Sequence, residues 1–109
     1  MASDFSALSS GLSELMVLRL LEKQEMYGYE IVQAIAERTR QVLSPGEGVI
    51  YPLLHALEKD GALKSRRKSV SGRSRIYYSL TARGAKRLVA LSDHWTALKG
   101  AVGMVVHGV

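Results

Sequence analysis

The chain has no cysteine among its 109 residues, which excludes disulfides and thiolate-held metal. It has no catalytic signature either. No G-x-S-x-G, phosphate-binding glycine loop or carboxylate pair is present, and His55, His94 and His107 do not fall at metal-ligand spacing. Neither an enzyme nor a metal or cofactor site is expected. No apolar segment approaches the roughly 18 uninterrupted residues that a membrane span needs. The N-terminus MASDFSALSSG carries no basic stretch and no long apolar run. No signal peptide is expected, and a cytoplasmic setting is the default. Most telling, residues 64–75 contain no acid.

That segment, KSRRKSVSGRSR, holds Lys64, Arg66, Arg67, Lys68, Arg73 and Arg75. Its six cations exceed the formal +5 of the whole chain by one, leaving −1 for all other residues. A positive excess packed into one short stretch points to a polyanionic partner. The bland alternative is a solvated charge run. Its place inside a hairpin pattern, directly after a helix-turn-helix pattern, favours nucleic acid.

Along the chain, residues 1–9 are expected to be poorly ordered. A first helix is expected from about Ser10, through LSELMVLRLLEKQ. Its Leu12, Leu15, Met16, Leu18, Leu20 and Leu21 cover most of the circumference, which places it at the centre of the core. A second helix is expected from about Tyr27 to Arg38, with Ile31, Ala34 and Ile35 on its apolar face; Gly28 is read as serving close packing or entry geometry rather than phosphate binding. Leu43 could add a brief strand. After Gly61, ALKSRRKS and RSRIYYSL read as two strands around a turn at Ser71-Gly72. Alternation places Ile76, Tyr78 and Leu80 on one face and Arg75, Tyr77 and Ser79 on the other, with Tyr77 and Tyr78 read as hairpin packing rather than contacts.

The stretch SPGEGVIYPLLHALEKDG, Ser44 to Gly61, reads as a recognition helix. Ser44 and Glu47 fit a capping box, Pro45 suits the first helical position, and Gly61 suits the end. Ile50, Leu53, Leu54 and Leu57 form a buried stripe. Gly48, Pro52, His55 and Lys59 occupy the opposite face, with Tyr51 on its flank. Pro52 removes one backbone bond and predicts a disturbed turn near Gly48, or a regular helix that starts only near Ile50.

Thr81 can cap a long last helix, from Ala82 to about His107. Leu88, Leu91, Trp95, Leu98, Val102, Val105 and Val109 alternate at spacings of three and four, a heptad seam. Beyond Lys99 the segment GAVGMVVHGV has no formal charge, so the seam is expected to pack against a second copy. The expected fold is mainly α with a β-hairpin wing. Residues 10–80 form a winged helix-turn-helix and residues 81–109 a dimerisation helix.

YGYEI at 27–31, SPGEGVIYPLLHALEKDG at 44–61 and SGRSRIYYSLTARG at 71–84 resemble the PadR family of transcriptional regulators. The resemblance covers about Leu12 to Leu98, and the short chain with one C-terminal helix is similar to the family's smaller subfamily. Tyr27 stands where the family often has histidine, and the glycine-rich tail departs from its more charged last helix. The resemblance implies a homodimer that represses genes from a palindromic operator. It also implies that a flat aromatic effector could stack at Trp95; the alternative is that Trp95 is a plain interface anchor.

The DNA contacts expected on the recognition helix and its approach are Ser44, Gly48, Tyr51, Pro52, His55 and Lys59, with the N-terminal half meeting base edges. Lys64, Arg66, Lys68 and Arg75 are expected on phosphates, with Arg73 at the minor groove. The dimer contacts expected are Leu88, Leu91, Trp95, Leu98, Val102 and Val105. The competing readings are a winged-helix module for protein–protein contact and a DNA-binding protein without an effector.

Overall fold

The structure, a computed structural model, describes residues 11–108. Its elements are α1 (Leu12–Lys23), β1 (Met26–Tyr27), α2 (Gly28–Arg38), α3 (Glu47–Lys59), β2 (Leu63–Val70), β3 (Arg73–Leu80) and α4 (Ala82–Val106). The three strands form one antiparallel sheet of order β1-β3-β2. The expectations for residues 1–9 and for Val109 lie outside the described residues.

α1 is the centre of the core, as its nearly continuous apolar surface requires. Val17, Leu18, Leu20 and Leu21 are buried, together with Ile31 and Ile35 of α2, Ile50, Leu54 and Leu57 of α3, and Leu88 of α4. Burying that many aliphatic side chains, at about 1.5–3 kcal/mol each, supplies the main drive for a fold this small.

Three local expectations are corrected. Tyr27 is not in the second helix. With Met26 it makes a two-residue strand, paired Met26↔Tyr78 and Tyr27↔Tyr77 with β3. Tyr27 is then the N-cap of α2, and its N–H donates to Glu30 Oε1 at 3.1 Å. Leu43 forms no strand. Thr39 Oγ1 accepts the Leu43 N–H at 3.1 Å and donates to the Ile35 carbonyl at 2.8 Å, so the chain turns back on the end of α2. The third correction concerns α3. It begins at Glu47, behind Gly46, with no side-chain cap. Ser44 and Pro45 stay outside the helix, because the Gly46 carbonyl already accepts the Val49 and Ile50 N–H groups, each at 3.0 Å. Pro52 lies inside the helix without ending it. The carbonyl it leaves unpaired belongs to Gly48, which is exposed, so water can take the place of the lost bond.

β2 and β3 pair from Leu63↔Leu80 to Val70↔Arg73. They are joined by Ser71 and Gly72 at φ 52° and 77°, the two left-handed residues of a tight hairpin turn. Tyr77 and Tyr78 are both buried, as hairpin packing requires, and Tyr27 of β1 meets the Tyr77 ring edge-on, 5.4 Å between centroids. Ile76 shares the parity of Tyr78 and Leu80 but is exposed.

Thr81 caps α4 as expected, accepting the Gly84 N–H at 3.0 Å and donating to the Gly61 carbonyl at 2.6 Å. Gly84 sits against Ala62: a β-carbon there would lie 2.1 Å from the Ala62 carbonyl oxygen. The seam divides in two. Leu88 is 1% exposed and belongs to the chain's own core, and Leu91 packs against that core, so Leu88 is withdrawn from the expected dimer contacts. Beyond it the apolar side chains stand out: Trp95, Leu98, Val102 and Val105 are 36%, 57%, 51% and 86% exposed. Arg87 ties the base of α4 to two other helices. It pairs with Glu14 of α1 and, through Nη1, with Asp60 Oδ2 at 3.0 Å; Asp60 is the C-cap of α3.

Candidate nucleic-acid interface

The outer face of α3 is composed as its periodicity predicts. Gly48, Pro52, His55 and Lys59 are exposed while Ile50, Leu54 and Leu57 are buried beneath them. Ser44 is exposed on the connection that leads into the helix. Tyr51 is different. Its ring lies directly on Gly28, the first residue of α2, and is half-buried. Burial pushes its hydroxyl above the usual phenol range, with the nearby Glu47 and Tyr27 adding to the effect. The group is therefore a neutral hydroxyl at physiological pH, able both to donate and to accept.

Strand parity sorts the wing cations. Leu63, Ser65 and Arg67 point to the face that packs against α3; Ser65 donates to Glu58 of that helix. Lys64, Arg66 and Lys68, one residue out of phase, stand on the other face, opposite Ser79, Tyr77 and Arg75. There a layered cluster forms. Arg66 grips Glu25 with two bonds, Nε to Oε1 at 3.0 Å and Nη2 to Oε2 at 2.7 Å. Lys68 Nζ donates to the same Oε2 at 2.9 Å and lies 4.6 Å from the centre of the Tyr77 ring. The Arg75 guanidinium lies 4.3 Å from the centre of the Tyr27 ring, a cation–π contact. The Arg66 and Lys68 bonds hold the Glu25 carboxyl far below its ordinary 4.5, at about 2.

The remaining wing cations are disposed differently. Arg67 is exposed and donates to Ser74 Oγ at 3.1 Å. Lys64 and Arg73 are exposed, and among the described residues neither makes a side-chain hydrogen bond or ion pair. Sequence reasoning passed over Arg67 as a site residue, although its parity with Leu63 and Ser65 is a signal for the face shared with α3. It also missed Glu25, which lies 41 residues from Arg66 and carries no local signature.

On the far side of the domain, a groove of about 310 Å³ runs between α1, α2 and α4. Leu15, Met16, Leu20, Ala34, Ile35 and Trp95 make its apolar lining, with Arg19, Arg38, Thr39 and Ser92 at its polar margin. Among the described residues no helix is long and apolar enough to cross a membrane.

Three helices, the last with an exposed polar face, followed by a basic two-stranded wing, define a winged helix-turn-helix regulator of the DNA-binding class. The chain belongs to the PadR-like family of transcriptional regulators, whose model it matches over residues 17–90. It is 34% identical to a transcriptional regulator of Mycobacterium tuberculosis over 94 residues, 86% of this chain and 82% of that one. Among solved structures it is similar to a PadR family regulator from Eggerthella lenta. The TM-score is 0.83 at 28% identity, covering 95% of this chain and 89% of that one. It is also similar to a protein of Streptococcus mutans, with a TM-score of 0.80 at 37% identity, covering 89% and 88%. Members of this family regulate transcription and are not enzymes, and membership implies regulation through DNA binding.

Proposed function

We propose that the protein is a homodimeric repressor that binds a palindromic operator. The observation that carries this reading is the outer face of α3, where Pro52, His55 and Lys59 are exposed beside a wing whose tip arginine, Arg73, has no partner among the described residues. α3 enters the major groove, with Pro52, His55 and the Tyr51 hydroxyl at base edges and Ser44, Gly48 and Lys59 toward the backbone. Arg73 reaches the minor groove, and Lys64 and Arg75 meet phosphates. The exposed part of the seam, Trp95 to Val105, joins two copies, so two α3 helices fall about 34 Å apart, one turn of DNA, or a multiple of it. A repressor of this kind is released by a ligand that changes that spacing. The apolar groove at Trp95 fits a small flat aromatic effector.

The deciding experiment is His55→Ala with footprinting on the upstream region of the protein's own gene. Loss of discrimination at one symmetric pair of positions, about 1–3 kcal/mol per contact, with non-specific binding unchanged, supports base reading by α3. Parallel loss of specific and non-specific binding moves His55 to the phosphates, and no change removes it from the interface. Trp95 is the chain's single tryptophan, so its fluorescence reports directly on aromatic ligands in the groove.

A further inference from the structure

Two of the six wing cations are already ion-paired within the free protein. Glu25 belongs to the connection between α1 and β1, and its carboxylate meets Arg66 and Lys68 of β2 across the outer face of β3. The three bonds it accepts satisfy both of its oxygens. A carboxylate that takes a guanidinium side-on uses the geometry with which arginine binds a phosphate. Arg66 and Lys68 bonded to Glu25 therefore have much of their donor capacity committed, and the trio carries one net positive charge where the two cations alone would carry two.

The same carboxylate ties the wing to the body of the domain. Lys68 rests on Tyr77, Tyr77 meets Tyr27, and Tyr27 is both the strand partner of Tyr77 and the N-cap of α2. The wing is thus anchored on both faces, through Ser65 and Glu58 toward α3 and through Glu25 away from it.

We propose that Glu25 is a specificity-determining residue of the DNA interface. It occupies Arg66 and Lys68 so that neither touches a phosphate, and it fixes the wing so that Arg73 and α3 reach the duplex in one register. The inference rests on the DNA-binding reading above. Phosphate contacts raise affinity for every sequence alike and carry no sequence information, so taking two cations out of the footprint widens the gap between operator and bulk DNA.

The test uses the full chain and two duplexes: one of random sequence, and one selected from a random pool by the unaltered protein. Glu25→Gln keeps the shape and removes the charge. The expected result is several-fold tighter binding to the random duplex and a smaller ratio between selected and random affinity. The salt dependence should steepen by about 0.9 for each further phosphate that the released cations neutralise, one or two in all. Adding Arg66→Ala and Lys68→Ala to Glu25→Gln should return the slope to that of the unaltered protein. That triple variant leaves no carboxylate orphaned. If its slope is shallower than that of the unaltered protein by about two phosphates, Arg66 and Lys68 touch phosphate in the normal complex and the proposal is overturned. An unchanged slope in Glu25→Gln overturns it as well, while leaving the DNA-binding reading intact. Absence of salt-dependent DNA binding by the unaltered protein overturns both.

Discussion

The ring of Tyr51 lies so close to Gly28 that a β-carbon on residue 28 would fall 2.3 Å from Tyr51 Cε1. The contact joins the first residue of α2 to the second turn of α3, so the glycine sets how near the two helices approach. Gly28→Ala should cost about 1–3 kcal/mol of stability, the usual penalty for overpacking, and should displace the Tyr51 side chain. Chemical denaturation measures the first effect. The second shows as weaker operator binding that exceeds any loss on random DNA.

Two other glycines make a matched pair. At Gly84 a β-carbon would strike the Ala62 carbonyl, which is backbone and cannot swing away. At Gly100 nothing lies within 4 Å. Gly84→Ala should therefore destabilise by more than Gly28→Ala, whereas Gly100→Ala should stabilise α4 by up to about 1 kcal/mol through helix propensity. Gly100 lies two residues past Leu98, about 200° around the helix, so its substitution should leave the oligomeric state unchanged. Thermal melts of the two variants give opposite signs if this geometry holds.

The division of the seam predicts two kinds of phenotype. Leu88→Ala removes a side chain from the chain's own core and should cost about 2–5 kcal/mol. Val102→Glu and Val105→Glu alter side chains that stand in solvent in the single chain, so the fold should survive. Sedimentation or light scattering should then find a folded monomer for the glutamate variants. A persistent dimer would place the partner contact elsewhere.

Acid should loosen the wing before it unfolds the domain. The Glu25 carboxyl titrates at about 2 in the fold against an ordinary 4.5, because Arg66 and Lys68 favour its charged form. A lowered value means that the contribution is complete above about pH 4.5 and disappears as the pH falls toward 2. Protection of the β2 amides, exchange being referred to the intrinsic rate at each pH, should fall across that window. The Glu25→Gln variant should show low β2 protection at all pH values and no such transition.

The architecture was readable from the sequence because its strongest signals are local. The leucine-rich surface of α1, the Thr81 cap, the Ser71-Gly72 turn and the 3-4 spacing of α4 each specify an element with few neighbours involved. What was not readable depends on contacts between distant segments. Tyr27 reads as helix until β3 offers it a strand partner, and nothing local says that its ring is what meets Tyr77 edge-on. Leu88 and Val102 share one periodic stripe, and only the packing of α1 against the base of α4 separates core from exposed seam. Within the candidate site the α3 face followed from periodicity alone. The state of Arg66 and Lys68 did not, since charge composition counts cations and says nothing of a carboxylate that arrives from the far end of α1.

The pairing of Arg87 with Asp60 gives α4 a mechanical role. The end of α3 is linked to the first turns of a 25-residue helix, so a displacement of one is felt at the other. At 1.5 Å per residue that helix is an arm of about 37 Å. If two copies pivot where their far ends meet, a tilt of about 5° swings the linked end through roughly 3 Å, close to the rise of one base pair. A ligand wedged beside Trp95 would then need only a small displacement to throw the two reading heads out of step with the double helix.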